Sequence, residues 1–105
     1  MEHYIALKKD FREWEWYGDT HSTILYLHLL LTANVEEKQW RGKKLERGEL
    51  VSSPRELAIE TGLSEGVVRT SLKKLRRTGY VTTERYKGET VYHLPYFNCY
   101  GRWVD

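Results

Sequence analysis

The chain has one cysteine, Cys99, in 105 residues, so no internal disulfide can form and a reducing compartment is the expected setting. It has no long apolar run. The richest stretch, Ile24 to Leu31, is too short to span a bilayer and contains His28. No signal-peptide pattern opens the chain, and no repeat, low-complexity tract or linker divides it. Four histidines are present, His3, His21, His28 and His93, without metal-ligand spacing to one another or to Cys99. There is no nucleophile–base motif and no glycine-rich phosphate loop. The expectation is one cytoplasmic domain with no membrane partner, no metal, no cofactor and no enzymatic activity. Its length suits a single core without staples.

Excess charge is also scarce, at a net +2. The distribution says more than the total. Residues 64–77 hold Arg69, Lys73, Lys74, Arg76 and Arg77 against Glu65, a local +4, and the rest of the chain has 12 bases and 14 acids. The basic character is read as sitting in this one segment, the footprint of a patch that faces phosphate. A solvated helix face with bases in its last turn is the plain alternative.

Aromatic residues are abundant, with four Trp and eight Tyr. Residues 3–17 mix them with charge, and Trp14 and Trp16 alternate with Glu13 and Glu15, as in a short strand or an extended arm. Asp19, Thr20 and Ser22 are N-cap candidates for a helix over TILYLHLLLTAN. That run is apolar nearly all round, so a central, buried helix is expected, ending at Asn34. Residues 35–48 read as a polar excursion turning at Gly42 and Gly48, and ELVSS reads as a short strand. Ser53-Pro54-Arg55-Glu56 is a capping box with proline at the first helical position. That helix ends near Gly62, and Ser64 caps a second one, stopped by Gly79. Two helices joined by about three residues form a helix-turn-helix. Two runs rich in Val, Thr and Tyr then flank Lys87-Gly88, a β-hairpin pattern. The expected fold is α+β, mostly α: a winged helix-turn-helix with a β-hairpin wing and an N-terminal aromatic arm. A single domain over residues 1–105 divides into an arm (4–18), a body (20–94) and a tail (95–105) that reads as the way into a further domain.

At about 100° per residue, Val68, Leu72 and Leu75 form one narrow inward stripe. Gly66, Thr70, Lys73 and Arg77 lie opposite, flanked by Arg69 and Lys74. A helix with small residues near its start and bases further along suits close approach to base edges. Ser64, Glu65, Gly66 and Thr70 would lie nearest the groove floor, and the free N–H groups of the helix start would take a phosphate. In the wing, Arg85 and Lys87 would touch the adjacent groove, or simply protect the strand edge. The aromatics of arm and tail, including Trp14, Trp16, Tyr17, Tyr96, Tyr100 and Trp103, either wrap the body or form an interface. The oligomer-interface candidates are Trp14, Trp16 and Tyr17.

The segments FREWEWYGDTHSTILYLHLLLTAN, QWRGKKLERGELVSS and LAIETGLSEGVVRTSLKKLRRTGYV, with the hairpin ending in TVYHL and the tail YFNCYG, resemble the N-terminal winged-helix domain of phage replisome organisers and DnaD-like primosome proteins. The resemblance covers roughly residues 4–100. It implies a role in replication initiation: origin binding by the helix over 64–78 in the major groove of double-stranded DNA, and recruitment of primosome or helicase-loader proteins. DnaD-like proteins use this domain largely for oligomerisation and protein contact, which implies a homodimer or higher oligomer as the alternative. A transcriptional regulator with the same helix-turn-helix is a third reading.

Overall fold

The structure, a computed structural model, describes residues 2–104, with side chains described for residues 3–102; the side chain of Trp103 therefore lies outside the described ones. The chain begins with β1 (Glu2–Ile5) and a short 3-10 helix (Lys9–Glu13), then α1 (Thr20–Thr32). Three short strands follow: β2 (Lys38–Trp40), β3 (Lys43–Leu45) and β4 (Glu49–Ser52). The helix pair is α2 (Pro54–Thr61) and α3 (Glu65–Arg77). The hairpin β5 (Thr82–Tyr86) and β6 (Glu89–His93) comes next, then the single-turn α4 (Phe97–Tyr100) and β7 (Gly101–Val104).

Each main helix starts where a side-chain oxygen meets an orphan N–H. Asp19 accepts from the Ser22 amide, Ser53 from Glu56 and Ser64 from Val67. The capping box at Ser53 is only half formed, because the Glu56 carboxylate accepts from the Ser52 hydroxyl at 3.4 Å. Between α2 and α3 the chain turns at Gly62, whose φ of +79° favours glycine.

One core joins α1, α2 and α3 to a three-stranded antiparallel sheet ordered β4-β6-β5. Leu25, Tyr26, Leu29 and Leu30 of α1 meet Leu57, the α3 stripe Val68, Leu72 and Leu75, and Leu50 and Tyr92 of the sheet. The expectation that α1 is buried all round does not hold. Ile24 and Leu31 are exposed, because the sheet and the other helices cover only one side of α1.

The expected polar excursion over 35–48 is instead a hairpin, β2–β3, with Lys38 opposite Leu45 and Trp40 opposite Lys43. It lies against the face of the sheet that points away from the helices. Lys43 Nζ meets Glu84 at 2.9 Å, and the Trp40 and Tyr86 rings stand 5.8 Å apart. Leu45 and Val91 are buried, although neither belongs to the main core.

Both ends of the chain return to the body. β1 pairs antiparallel with β7. Phe97 is buried, and its ring lies under the Arg47 guanidinium at 5.0 Å. Arg47 also donates to the carbonyls of Val35 and Gly101 and to Asn98 Oδ1. Phe97 fits only because its neighbours lack side chains. A Cβ on Gly48 would lie 2.9 Å from the Phe97 Cβ, and one on Gly101 would lie 2.6 Å from its ring.

Gly48 also has φ +84°, whereas a Cβ on Gly62 would meet nothing within 4 Å. Gly62→Ala should cost about 1 kcal/mol for its backbone conformation. Gly48→Ala should cost distinctly more, about 2–4 kcal/mol, because the Phe97 backbone region must also shift. Urea unfolding of the two variants side by side checks this, and equal losses would contradict the packing described for Phe97.

Candidate nucleic-acid interface

The outward face of α3 comprises Glu65, Gly66, Arg69, Thr70, Lys73, Arg76 and Arg77, all exposed, while Ser71 is buried beside the core stripe. Lys73, Arg76 and Arg77 make no ion pair among the described residues, so their charge is available. Arg69 is engaged locally. Its Nε and Nη2 both reach Glu65 Oε2, at 3.2 and 2.8 Å, a surface i,i+4 pair. Such an exposed pair is worth little and exchanges readily for a phosphate or a base edge. Ser64 uses its hydroxyl on the Val67 amide. Glu65 adds a negative charge to the first turn of α3, which opposes the phosphate expected at the helix start.

Lys74 departs from the expected site. It turns back from the outward face, its Nζ 2.6 Å from Asp19 Oδ2 and 5.8 Å from the centre of the Trp16 ring. The cause is electrostatic and local: the carboxylate that caps α1 stands beside the last turn of α3. Lys74 is therefore a structural cation. Trp16 completes the joint by donating from Nε1 to Thr78 Oγ1 at 2.9 Å.

Trp14 is likewise used inside the fold, with its ring 4.9 Å from Tyr26 and 5.3 Å from Tyr80. Two of the three residues expected at a self-association surface thus hold the arm on the body. Tyr17 remains exposed at the edge of this cluster.

The β5–β6 hairpin supplies a second set of bases. Arg85 donates to Thr90 Oγ1 at 2.6 Å and to the Gly88 carbonyl at 2.9 Å, which clips it across the hairpin. Lys87 donates to the Arg41 carbonyl at 3.2 Å and lies over the Tyr86 ring. Arg85 stands on the sheet face that carries Tyr92, since cross-strand partners share a face and Thr83 pairs with Tyr92 and Arg85 with Thr90.

Tyr92 shares a core with the inward stripe of α3, so Arg85 lies on the side of the sheet that the helix covers. Burial pushes its phenol up, and the nearby charges of Arg69, Arg76 and Arg85 oppose that rise. Glu56 of α2 acts on it in the opposite sense, so charges from α2, α3 and β5 all lie within electrostatic reach of this ring. Sequence reasoning left Arg76 out of the site, with the helix dipole as the alternative role for last-turn bases. The signal was its wheel position, about 20° from that of Arg69.

A family model described as winged helix-turn-helix DNA-binding matches residues 52–82, from the end of β4 through α2 and α3 to the first residue of β5. The fold is a winged helix-turn-helix. In it α3 occupies the recognition-helix position and β5–β6 is the wing. Comparison with curated proteins and with solved structures gives no match. Among the described residues, no helix is long and apolar enough to cross a membrane.

The Lys74 ion pair holds the Asp19 carboxyl below its ordinary value, aided by the Ser22 amide and opposed by partial burial. A carboxyl whose pKa is lower in the folded state stabilises above its unfolded pKa, near 3.8, and that contribution is lost as pH falls through the depressed folded value. Stability should therefore drop on the acid side of about pH 4. Asp19→Asn keeps the cap but lacks the charge, so this part of the drop should be absent. Urea midpoints across the acid range check it, and parallel curves for both proteins would remove the pair from the stability account.

Proposed function

We propose that this chain binds double-stranded DNA, with α3 in the major groove and the wing on the adjacent backbone, and that it acts in initiation of phage or prophage replication. The observation that carries the binding reading is the exposed basic face of α3, with Arg69 and Arg76, on the same side of the sheet as Arg85 of the wing. Lys73 and Arg77 extend it along the outer side of α3. Thr70 and Gly66 leave the first half of the helix low enough for base edges to approach. On this reading Arg69 and Lys73 reach bases or phosphates, and Arg76, Arg77, Arg85 and Lys87 neutralise the backbone. The chain is a binding module and not a catalyst.

The replication role is supported by the resemblance of WEWY, LLLTAN, WRG and RGELVSS, segments that lie largely outside the helix-turn-helix, to replisome organisers. A protein-contact scaffold that recruits primosome partners is the second reading. It is supported by the exposed apolar side chains Leu31 (70% exposed) and Ile59 (73%).

Fluorescence anisotropy of origin-region and scrambled duplexes across a salt series tests the proposal. Arg69→Ala with Lys73→Ala should weaken binding by about 1–3 kcal/mol per contact and flatten the salt slope by about 0.9 per phosphate lost. Failure of the native chain to bind either duplex at low salt would sink the DNA reading in favour of the scaffold. Glu65→Gln should tighten binding to the scrambled duplex several-fold, since it frees Arg69 and removes an anion from the helix start. An unchanged affinity would show that the Glu65–Arg69 pair does not compete with phosphate.

A further inference from the structure

The β2–β3 hairpin lies outside the segment that the family model matches, and its composition is unusual. Residues 38–45 hold Lys38, Arg41, Lys43 and Lys44 and no acid. Together with residues 64–77 they carry nine of the 17 bases and one of the 15 acids, so the remaining residues, with eight bases and 14 acids, are net −6. The basic character of the chain therefore sits in two segments.

The structure places the second segment at the wing. Both hairpins turn on a basic residue followed by glycine, Arg41-Gly42 and Lys87-Gly88, each pair with positive φ at both positions. That is the backbone of a two-residue type I′ turn. The two tips are joined, because the Arg41 carbonyl accepts from both the Tyr86 hydroxyl at 3.0 Å and Lys87 Nζ at 3.2 Å. The wing tip and the tip of β2–β3 are therefore neighbours on the surface.

Trp40, Lys43 and Leu45 face the sheet and fix the hairpin there. Arg41 at the turn, Lys44 on the outer face and Lys38, at the open end on the side that carries Leu45, are all exposed. Arg41 lies 3.9 Å from Glu89 and Lys44 lies 3.3 Å from Glu37, surface pairs that a polyanion can displace.

We infer that β2–β3 is a second wing, which grips the phosphodiester backbone of the duplex beyond the first wing and lengthens the footprint of the protein on DNA. The inference rests on the DNA-binding reading of α3. It differs from that reading in naming an element that makes backbone contacts only, so its contribution is independent of base sequence.

The test uses the whole chain and mixed-sequence duplexes of about 12 and about 30 base pairs, read by anisotropy against salt. The variant Lys38→Gln, Arg41→Asn, Lys44→Gln removes three charges, and asparagine tolerates the positive φ of position 41. The native chain should bind the longer duplex more tightly, beyond the statistical gain in sites. The variant should lose that extra gain, bind the longer duplex roughly tenfold or more weakly at low salt, and show a slope shallower by about two to three. Lys44→Gln alone, remote from the turn, should show about one third of the slope change, which covers the case in which the triple variant melts early. An unchanged slope in both variants, while Arg69→Ala with Lys73→Ala weakens binding, would overturn the second wing and leave the α3 reading intact. Absence of any duplex binding by the native chain would overturn both.

Discussion

The joint between Lys74 and Asp19 sets the geometry on which the basic face depends. One oxygen of Asp19 caps α1 and the other holds the last turn of α3. Trp16 lies against the same lysine and reaches on to Thr78. The start of the first helix, the end of the recognition helix and the aromatic arm thus meet at one partly buried ion pair. Removing the carboxylate would leave a partly buried cation, and the last turn of α3 would lose a tie to α1 that supplements its buried stripe.

Around that anchor the charges divide by role. Lys74 and Arg47 work inward, the first on α1 and the second on Phe97 and the C-terminal strand. Arg69 and Arg85 are held at the surface by short-range partners. Lys73, Arg76 and Arg77 stand in solvent. A patch composed in this way attracts an anion through its free cations and orients the contact through its restrained ones.

Much of this was legible in the sequence because it is written locally. Asp19, Ser53 and Ser64 each precede a helix at capping distance, and Lys87-Gly88 sits between two β-rich runs; all four signals are used, with the capping box at Ser53 closed on one side only. What escaped was long-range or chemically disguised. Strands β2 and β3 are three residues long and rich in lysine, so they lack the β-branched alternation that marks a strand. Their stability comes from Trp40 on Tyr86 and Lys43 on Glu84, contacts with an element some 40 residues away. On a helical wheel Lys74 resembles the other bases of α3, and only its carboxylate, 55 residues earlier in the chain, distinguishes it. The arm and tail aromatics left wrapping and interface open. Burial of Phe97 between two glycines, and of Trp14 against Tyr26, shows how much of that content serves the body.

The shared carbonyl of Arg41 has a thermodynamic consequence. Wing tips are often mobile, and ordering a loop on a ligand opposes association by an amount that grows with each residue fixed. Here a tyrosine hydroxyl and a lysine ammonium tie one tip to the other before any ligand arrives. The twin turns are held in place in advance, and in the proposed second wing a larger share of each charge contact would appear as affinity and less would be spent in stilling the chain.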